Sequence, residues 1–236
     1  MIRTSASIAR LAAGLLLVMP LLACGDSEAT QRRNFVAWLQ MRIIAKPGVH
    51  VPHMTPEETA LFGAYAKHYA VIADFNAGMD QSVSQPLQQA IAKGVPRSLN
   101  EVVTRRSDIA ALRDGMAAIR GALDRQLASA DTAHAALDQP PDLKPVYDTA
   151  YDRDVSQPAK AFRNIFPELD ASIQAILELA EFLDQHKTAV QLDGAMIRVT
   201  DPALQPRLQA LVEAMRTKLE AMQKAQQRMN ALVNGT

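Results

Sequence analysis

The chain has 236 residues, and its 25 Lys and Arg balance 25 Asp and Glu, so the formal net charge is zero. This length suits one sizeable domain, and a hydrophobic content of 48% is enough for a packed core. The lack of a basic excess argues against a nucleic-acid-binding protein, and the single cysteine excludes an internal disulfide framework and any Cys-rich metal site.

Residues 1–23 are typical of a signal peptide. Arg3 and Arg10 precede an apolar run that is too short to cross a bilayer, since a spanning helix needs about 20 apolar residues. The run ends in Leu21-Leu-Ala-Cys24, which resembles the lipobox of bacterial lipoproteins. There the cysteine is acylated and becomes the new N-terminus, so we expect Cys24 to bind the membrane through acyl chains. An ordinary signal peptide that ends near a buried cysteine is the alternative.

Residues 24–30 are predicted to be a lipidated polar tether, followed by one helical domain over residues 31–236. A tether of this length reaches about 20 Å when stretched, so the domain would lie close to the lipid. Gly25 follows the cysteine, whereas lipoproteins retained in the inner membrane usually carry Asp there. We therefore expect a location at the outer membrane, facing the periplasm. Removal of the signal peptide takes away two arginines and leaves a slightly acidic chain.

The first part of the mature chain predicts three long amphipathic helices. Apolar residues recur at intervals of three and four over residues 28–45, 55–93 and 99–138, which is the spacing of one helix face. Pro86 interrupts the second pattern and predicts a kink near Val83.

The last part of the chain carries more prolines. We predict a short helix after Pro145, then an irregular stretch as far as Pro167 that is helical only near residues 159–164. A helix over residues 168–187 follows. A last helix begins after the capping pair Asp201-Pro202 and ends near Asn234.

These elements predict an all-α fold, an elongated and mostly antiparallel bundle of four to five long helices. The segment 189–199 is the exception, because two β-prone arms flank Asp193-Gly194 and predict one short β-hairpin. Asn76 and Gln126 occupy apolar positions of two helices, where single polar residues can fix the register of packing. A buried binding site at these two residues is the alternative.

No pattern in the sequence indicates catalysis or a cofactor, since phosphate loops, nucleophile elbows and zinc-protease motifs are all missing. His50, His53 and Met54 are weak candidates for copper or zinc ligands. No acid or cysteine nearby completes that set, so we expect no metal. We interpret His68 and His134 as polar residues at the edge of the core rather than as a catalytic pair.

Two segments resemble the YiaF-like family of bacterial lipoproteins. One is Gln31-Arg-Arg-Asn-Phe-Val-Ala-Trp-Leu-Gln40, and the other comprises residues 133–137 and 142–151. The likeness extends over most of the mature chain and implies an envelope lipoprotein. The family is known as a domain of unknown function, so the resemblance implies no active-site residue.

Lys144, Tyr147 and Tyr151 lie in the second of these segments and have two interpretations. The helix that begins at Lys144 presents an apolar and aromatic face, which is typical of a packed joint between two helices. A partner-binding site at these three residues is the other interpretation.

The sequence as a whole predicts a noncatalytic, membrane-anchored envelope lipoprotein that is structural or binds an envelope protein. The alternative is a periplasmic lipoprotein that binds a small ligand or metal in a groove of the bundle or at the loop of His50 and His53. An envelope enzyme without a recognisable motif is the third hypothesis.

Overall fold

The structure is a computed structural model that describes residues 21–193 and 196–236. Its helices are α1 (Leu21–Leu39), α2 (Pro56–Phe62), α3 (Ala66–Met79), α4 (Gln85–Ile91), α5 (Leu99–Thr104), α6 (Arg106–Ala135), α7 (Lys144–Tyr151), α8 (Gln157–Gln185) and α9 (Gln205–Asn234). Short 3-10 helices are formed by Gly63–Tyr65 and Pro202–Leu204. Three π-helical turns are formed by Gln40–Ile44, Asp80–Ser84 and Asp152–Ser156. The strands are β1 (Val190–Asp193) and β2 (Met196–Val199).

The architecture confirms the predicted all-α, elongated bundle. The π turns join α3 to α4 and α7 to α8, so that several short elements form long helical runs. α6 alone has 30 residues and is therefore about 45 Å long. It packs against both α3 and α8, while α9 packs along α8. None of the helices within residues 21–193 and 196–236 combines the length and apolar composition that crossing a bilayer requires.

The predicted hairpin is also confirmed. β1 and β2 pair antiparallel, with Val190 opposite Val199 and Leu192 opposite Ile197. Val190 is buried and belongs to the same apolar core as the helices, which supports a hairpin that would be marginal alone. The turn predicted at Asp193-Gly194 lies outside the described residues.

α1 begins earlier than the apolar periodicity predicted, at Leu21 rather than near residue 28. The predicted tether is therefore part of this helix, which continues to Leu39 and then into a π turn. Residues 1–20 and the side chain of Cys24 lie outside the part of the chain that the structure describes, and with them the predicted signal peptide and lipidation.

The prediction of an irregular stretch before Pro167 was wrong, because α8 runs unbroken from Gln157 to Gln185. Pro158 lacks the N–H that the carbonyl of Asp154 would accept in a regular α-helix. That carbonyl instead accepts a hydrogen bond from Asn76 Nδ2 of α3, at 3.2 Å. The preceding π turn and this bond from a neighbouring helix accommodate the proline without ending the helical run.

The π turn before a proline, and the sequence around it, occur twice in the chain. Asp80-Gln-Ser-Val-Ser-Gln-Pro86 and Asp152-Arg-Asp-Val-Ser-Gln-Pro158 share the pattern Asp-x-x-Val-Ser-Gln-Pro, and each begins with a π turn. In each copy the Gln side chain donates to the first Asp, at 2.8 Å in one copy and 2.7 Å in the other. The valine of each copy is fully buried. The kink predicted near Val83 thus corresponds to a π turn, and the pattern was missed in the sequence.

Polar residues on two helix faces set the packing of α3. Asn76 bonds across to the turn before α8, which supports its predicted role in fixing register. Gln126 of α6 lies over Gly78 of α3, where an added Cβ would meet the glutamine Oε1 at 2.3 Å. Glycine at this position therefore permits a close approach of the two helices.

An aromatic group joins α1 to α2 and α3. The rings of Phe35, Trp38, Phe62, Tyr65 and Tyr69 form pairs with centroids 4.8 to 6.4 Å apart. Trp38 Nε1 also donates to Glu58 Oε1 at 2.8 Å, and Glu58 caps the first turn of α2 through a reciprocal pair of bonds with Thr55. The start of α2 is thereby fixed to the end of α1.

The end of α9 meets the loop that follows α1. The N–H of Val49 donates to the carbonyl of Val233 at 2.9 Å. Gly48 has a φ of +69°, and a Cβ there would lie 2.2 Å from that same carbonyl oxygen. Only glycine satisfies both the left-handed backbone and the close approach.

We expect Gly48→Ala to destabilise the protein more than Gly94→Ala. Both glycines have positive φ, but nothing lies within 4 Å of a Cβ at Gly94. Gly94→Ala should cost about 1–2 kcal/mol from backbone strain alone. Gly48→Ala should cost roughly 1 kcal/mol more, because the bond between Val49 and Val233 is lost. Urea unfolding of both variants measures the difference, and equal losses would contradict the close contact.

Candidate functional site

Ionisable and aromatic side chains gather where α3, α6 and α7 meet. We call His68, His134, Tyr147 and Tyr151 the histidine–tyrosine cluster. The local sequence positions it through the turn before α7, where the carbonyl of Pro140 accepts hydrogen bonds from two following N–H groups. A proline near the start of α7 suits the first helical turn, whose N–H groups have no partner within the helix.

Tyr147 is the centre of the cluster. Its side chain is fully buried, and its hydroxyl donates to the backbone carbonyl of His68 at 2.7 Å. The rings of His68 and His134 lie 6.3 and 5.4 Å from its ring. Burial, and secondarily the charge of Asp148, raise the pKa of the Tyr147 phenol well above its ordinary value. The hydroxyl therefore remains a neutral hydrogen-bond donor.

Tyr151 makes the equivalent contact with α6. Its hydroxyl donates to Asp131 Oδ1 at 2.7 Å, and its ring lies 4.1 Å from that of His134. Burial and then the bond to Asp131 raise the pKa of the Tyr151 phenol well above its ordinary value. Both tyrosines thus hold α7 against its neighbours.

His134 faces a carboxylate on α7. Its Nε2 lies 2.8 Å from Asp148 Oδ1, and Lys144 Nζ lies 3.0 Å from Asp148 Oδ2. Burial acts to raise the pKa of Asp148, but the hydrogen bonds from Lys144 and His134 outweigh it and leave this pKa below its ordinary value. Asp148 is therefore a carboxylate, and we assign the proton on Nε2 of His134, which orients the ring.

His68 lies on the other side of Tyr147. Its Nδ1 is 3.3 Å from Gln139 Nε2, so the amide donates and Nδ1 accepts. Burial lowers the pKa of His68, with the charge of Asp138 acting in the opposite direction. A neutral imidazole in this position agrees with its interpretation as a polar residue at the edge of the core.

The cluster is tied to the middle of α1. Tyr65, whose ring lies 5.3 Å from that of His68, donates its hydroxyl to Glu28 Oε1 at 2.8 Å. Arg32 Nε donates to Asp142 Oδ2 at 3.0 Å, in the turn before α7. The part of α1 nearest to Cys24 is therefore already attached to the domain at Glu28.

Burial distinguishes the two interpretations of Lys144, Tyr147 and Tyr151. Tyr147 and Tyr151 are 0% and 3% exposed, so neither ring offers a surface to a partner. They form the packed joint between helices that the sequence also allowed. Of the three candidates, Lys144 is exposed, and it pairs with Asp148.

The loop of His50, His53 and Met54 does not bring these residues into a recognisable metal centre. His50 and His53 are exposed, and Met54 is partly buried against the core. Among the residues described, no group of three or more His, Cys, Asp and Glu side chains is placed to hold a metal ion. The loop is instead fixed by its backbone, because the N–H of His50 donates to Asp154 Oδ1 at 3.2 Å.

Asp154 is the residue that the sequence analysis missed. It lies in the π turn before α8 and is fully buried. Burial raises its pKa to about 7, although the bond from His50 and the charge of Arg153 act in the opposite direction. The repeated motif could have indicated it, because Asp154 occupies the position that Ser82 has in the first copy.

A shallow groove of about 400 Å³ lies between α6 and α8. Two ion pairs cross it, Arg120 with Asp170 and Arg163 with Asp124, each at 2.6 Å. The Arg120 guanidinium also lies 5.1 Å from the ring centroid of Phe166. All four charged side chains are paired and about half exposed, between 41% and 51%, so the two ion pairs contribute modestly to stability.

Comparison with known proteins gives one family and several relatives. A family model described as "Protein of unknown function (DUF3053)" matches residues 12–230. The chain is 27% identical over 179 residues to the uncharacterized protein YiaF of Escherichia coli K12, covering 75% of each chain. The YiaF proteins of Escherichia coli O157:H7 and Shigella flexneri match to the same extent. No solved structure is significantly similar to this chain.

Substitution of Tyr147 distinguishes a packed joint from a binding surface. We expect Tyr147→Ala to lower the free energy of unfolding by about 3–5 kcal/mol, because it empties a fully buried site. Tyr147→Phe should cost about 1 kcal/mol, the typical contribution of the lost hydrogen bond. Lys144→Ala is the exposed control and should change stability by roughly 0.5 kcal/mol or less. Chemical denaturation measures all three, and an unchanged stability of Tyr147→Ala would contradict the joint.

Proposed function

The chain belongs to the DUF3053 family, and from that premise we propose that it is a noncatalytic lipoprotein of the bacterial cell envelope. In this proposal acyl chains on Cys24 hold the protein to the outer membrane on its periplasmic side. The helical body has a structural role or binds another envelope protein.

The observation that carries the proposal is the position of Cys24. The only cysteine of the chain follows an apolar run and the residues Leu21-Leu-Ala, as in a lipobox. A thiol at this point has no disulfide partner within the chain, and acylation gives it a defined role. More than one acyl chain is needed for stable anchoring, and the lipoprotein modification supplies them.

The attachment of α1 to the domain also supports the proposal. Glu28 bonds to Tyr65 only four positions after Cys24, which corresponds to about 6 Å along a helix. A lipid on Cys24 would therefore bring the end of the bundle with the histidine–tyrosine cluster close to the bilayer surface. The separation would be smaller than the 20 Å or so that an extended tether allows.

A noncatalytic role is favoured by the bonds within the cluster. Both tyrosine hydroxyls donate to acceptors that join helices, and Asp148 is engaged by Lys144 and His134. These bonds give the ionisable side chains of the cluster a structural role, which is to hold α7 against its neighbouring helices. A bundle containing a helix of about 45 Å has ample lateral surface for an envelope protein partner.

Cys24→Ser tests the anchor. We expect this variant to accumulate as an uncleaved precursor or to leave the membrane fraction, because serine cannot form the thioether to the lipid. Incorporation of labelled palmitate, measured after expression in a Gram-negative host, should be lost. Ser27→Ala keeps the lipobox intact and should be labelled and processed normally. Labelling of Cys24→Ser equal to that of the unmodified sequence would refute the proposal.

Gly25→Asp tests the membrane to which the protein is sorted. Because an aspartate directly after the acylated cysteine usually causes inner-membrane retention, this variant should move from the outer to the inner membrane fraction. Asp26→Asn changes the neighbouring position and should leave the distribution unchanged. Sucrose-gradient separation of the two membranes gives the result, and an inner-membrane location of the unmodified protein would contradict the proposed location.

A further inference from the structure

The loop of residues 45–50 is held by the π turn before α8. The guanidinium of Arg153, in that turn, donates to one backbone carbonyl at the end of the first helical run and to two in the loop. Its Nη1 lies 3.1 Å from the carbonyl of Ile44, its Nε lies 3.1 Å from that of Gly48, and its Nη2 bonds to that of Lys46. The next residue, Asp154, accepts the N–H of His50. Two successive side chains therefore hold the entire loop.

The same loop is the contact between distant parts of the chain. It follows the helical run of α1, it rests on the turn between α7 and α8, and it bonds to the end of α9 through Val49 and Val233. A change in the loop would therefore affect how α1 and α9 are attached to the rest of the bundle.

The Asp154 carboxyl group has few interactions that would stabilise a negative charge. It is fully buried, and only its Oδ1 accepts a hydrogen bond; its Oδ2 has no partner within residues 21–193 and 196–236. Among the described residues, the titratable or charged side chains that face it are Arg153 on its own turn and Tyr69 on α3, while His50 of the loop contributes its backbone N–H. The Arg153 guanidinium is committed to loop carbonyls, and Tyr69 donates its hydroxyl to the carbonyl of Pro52.

We propose that Asp154 is a proton-controlled latch on the loop of residues 45–50. With the carboxyl protonated, the loop lies closed on the π turn. When the carboxyl ionises, water must reach the buried charge, so the end of the loop at Val49 and His50 lifts and its bond to the end of α9 loosens. This proposal does not depend on acylation of Cys24.

The direction of the pH effect follows from burial. Desolvation raises the pKa of Asp154 to about 7, whereas an exposed aspartate ionises near pH 4. A raised pKa in the folded state means that stability falls as the pH rises from the unfolded value towards the folded value. The closed loop is therefore favoured near pH 5, is weakened progressively up to about pH 7, and changes little above that.

Trp38 provides the measurement. It is the only tryptophan in the chain, and its ring lies 4.8 Å from that of Tyr69, whose hydroxyl bonds to Pro52 in the segment that continues the loop. We expect the emission of the full-length protein, titrated from about pH 4.5 to about pH 8.5 in detergent micelles, to change with a midpoint no higher than about 7, because opening of the loop hydrates the charge and lowers the apparent pKa below that of the closed loop. Asp154→Asn should abolish that change while retaining the oxygen that accepts from His50.

Two control variants distinguish the ionisation of Asp154 from that of neighbouring groups. His50→Gln removes the imidazole but keeps the N–H that bonds to Asp154, so the transition should remain. Asp152→Asn alters an exposed carboxylate of the same π turn and should also leave the transition in place. If either variant abolished the transition as completely as Asp154→Asn, the latch would be assigned to the wrong residue.

A second substitution covers the case in which Asp154→Asn does not fold. Asp154→Ser introduces the residue that occupies the corresponding position of the first motif, Ser82. It should fold, as judged by circular dichroism, and show no transition near neutral pH. A transition that persists in a folded Asp154→Asn or Asp154→Ser protein overturns the proposal, as does the absence of any transition in the unmodified chain.

Discussion

The fold depends on the way one proline is accommodated inside a long helical run. Pro158 cannot donate a hydrogen bond, so a carbonyl of the preceding turn needs another donor, and Asn76 of α3 supplies it. That bond solves a local backbone problem and also fixes α3 against the turn between α7 and α8. The side chains of the same turn then hold the loop after α1. The accommodation of Pro158 thus connects α3, the turn between α7 and α8, and the loop after α1.

Much of the fold could be predicted because helix faces are local patterns. The apolar spacing of α6 and α9 follows directly from residues three and four apart, and so does the hairpin from its two β-prone arms. The continuity of α8 could not be predicted in this way. Pro158 and Pro167 both indicate breaks when only the neighbouring residues are considered. The bond that compensates at Pro158 comes from Asn76, which lies 78 positions before Asp154 in the chain. Tertiary contact therefore overrides the local signal.

The candidate sites also differ in how far the sequence alone could predict them. The segment containing Tyr147 was recognisable from sequence, but its two interpretations differed only in burial, which depends on the neighbouring helices. Asp154 was missed because an aspartate beside an arginine, in a segment where most residues are polar, is typical of an exposed helix face. The repetition of Asp-x-x-Val-Ser-Gln-Pro was the available signal, since the two copies differ only at their second and third positions, where the second copy has Arg153 and Asp154.

The contact between Val49 and Val233 has a consequence for the order in which the chain folds. The two residues lie near opposite ends of the sequence, so the loop that their bond closes encloses most of the chain. Closing such a loop early carries a large entropic cost, whereas the antiparallel pair of α8 and α9 brings together residues that are much closer in sequence. We therefore expect the pair of α8 and α9 to assemble first and the contact between Val49 and the end of α9 to close last. Local opening in the native protein would begin at that contact, long before the central helices separate.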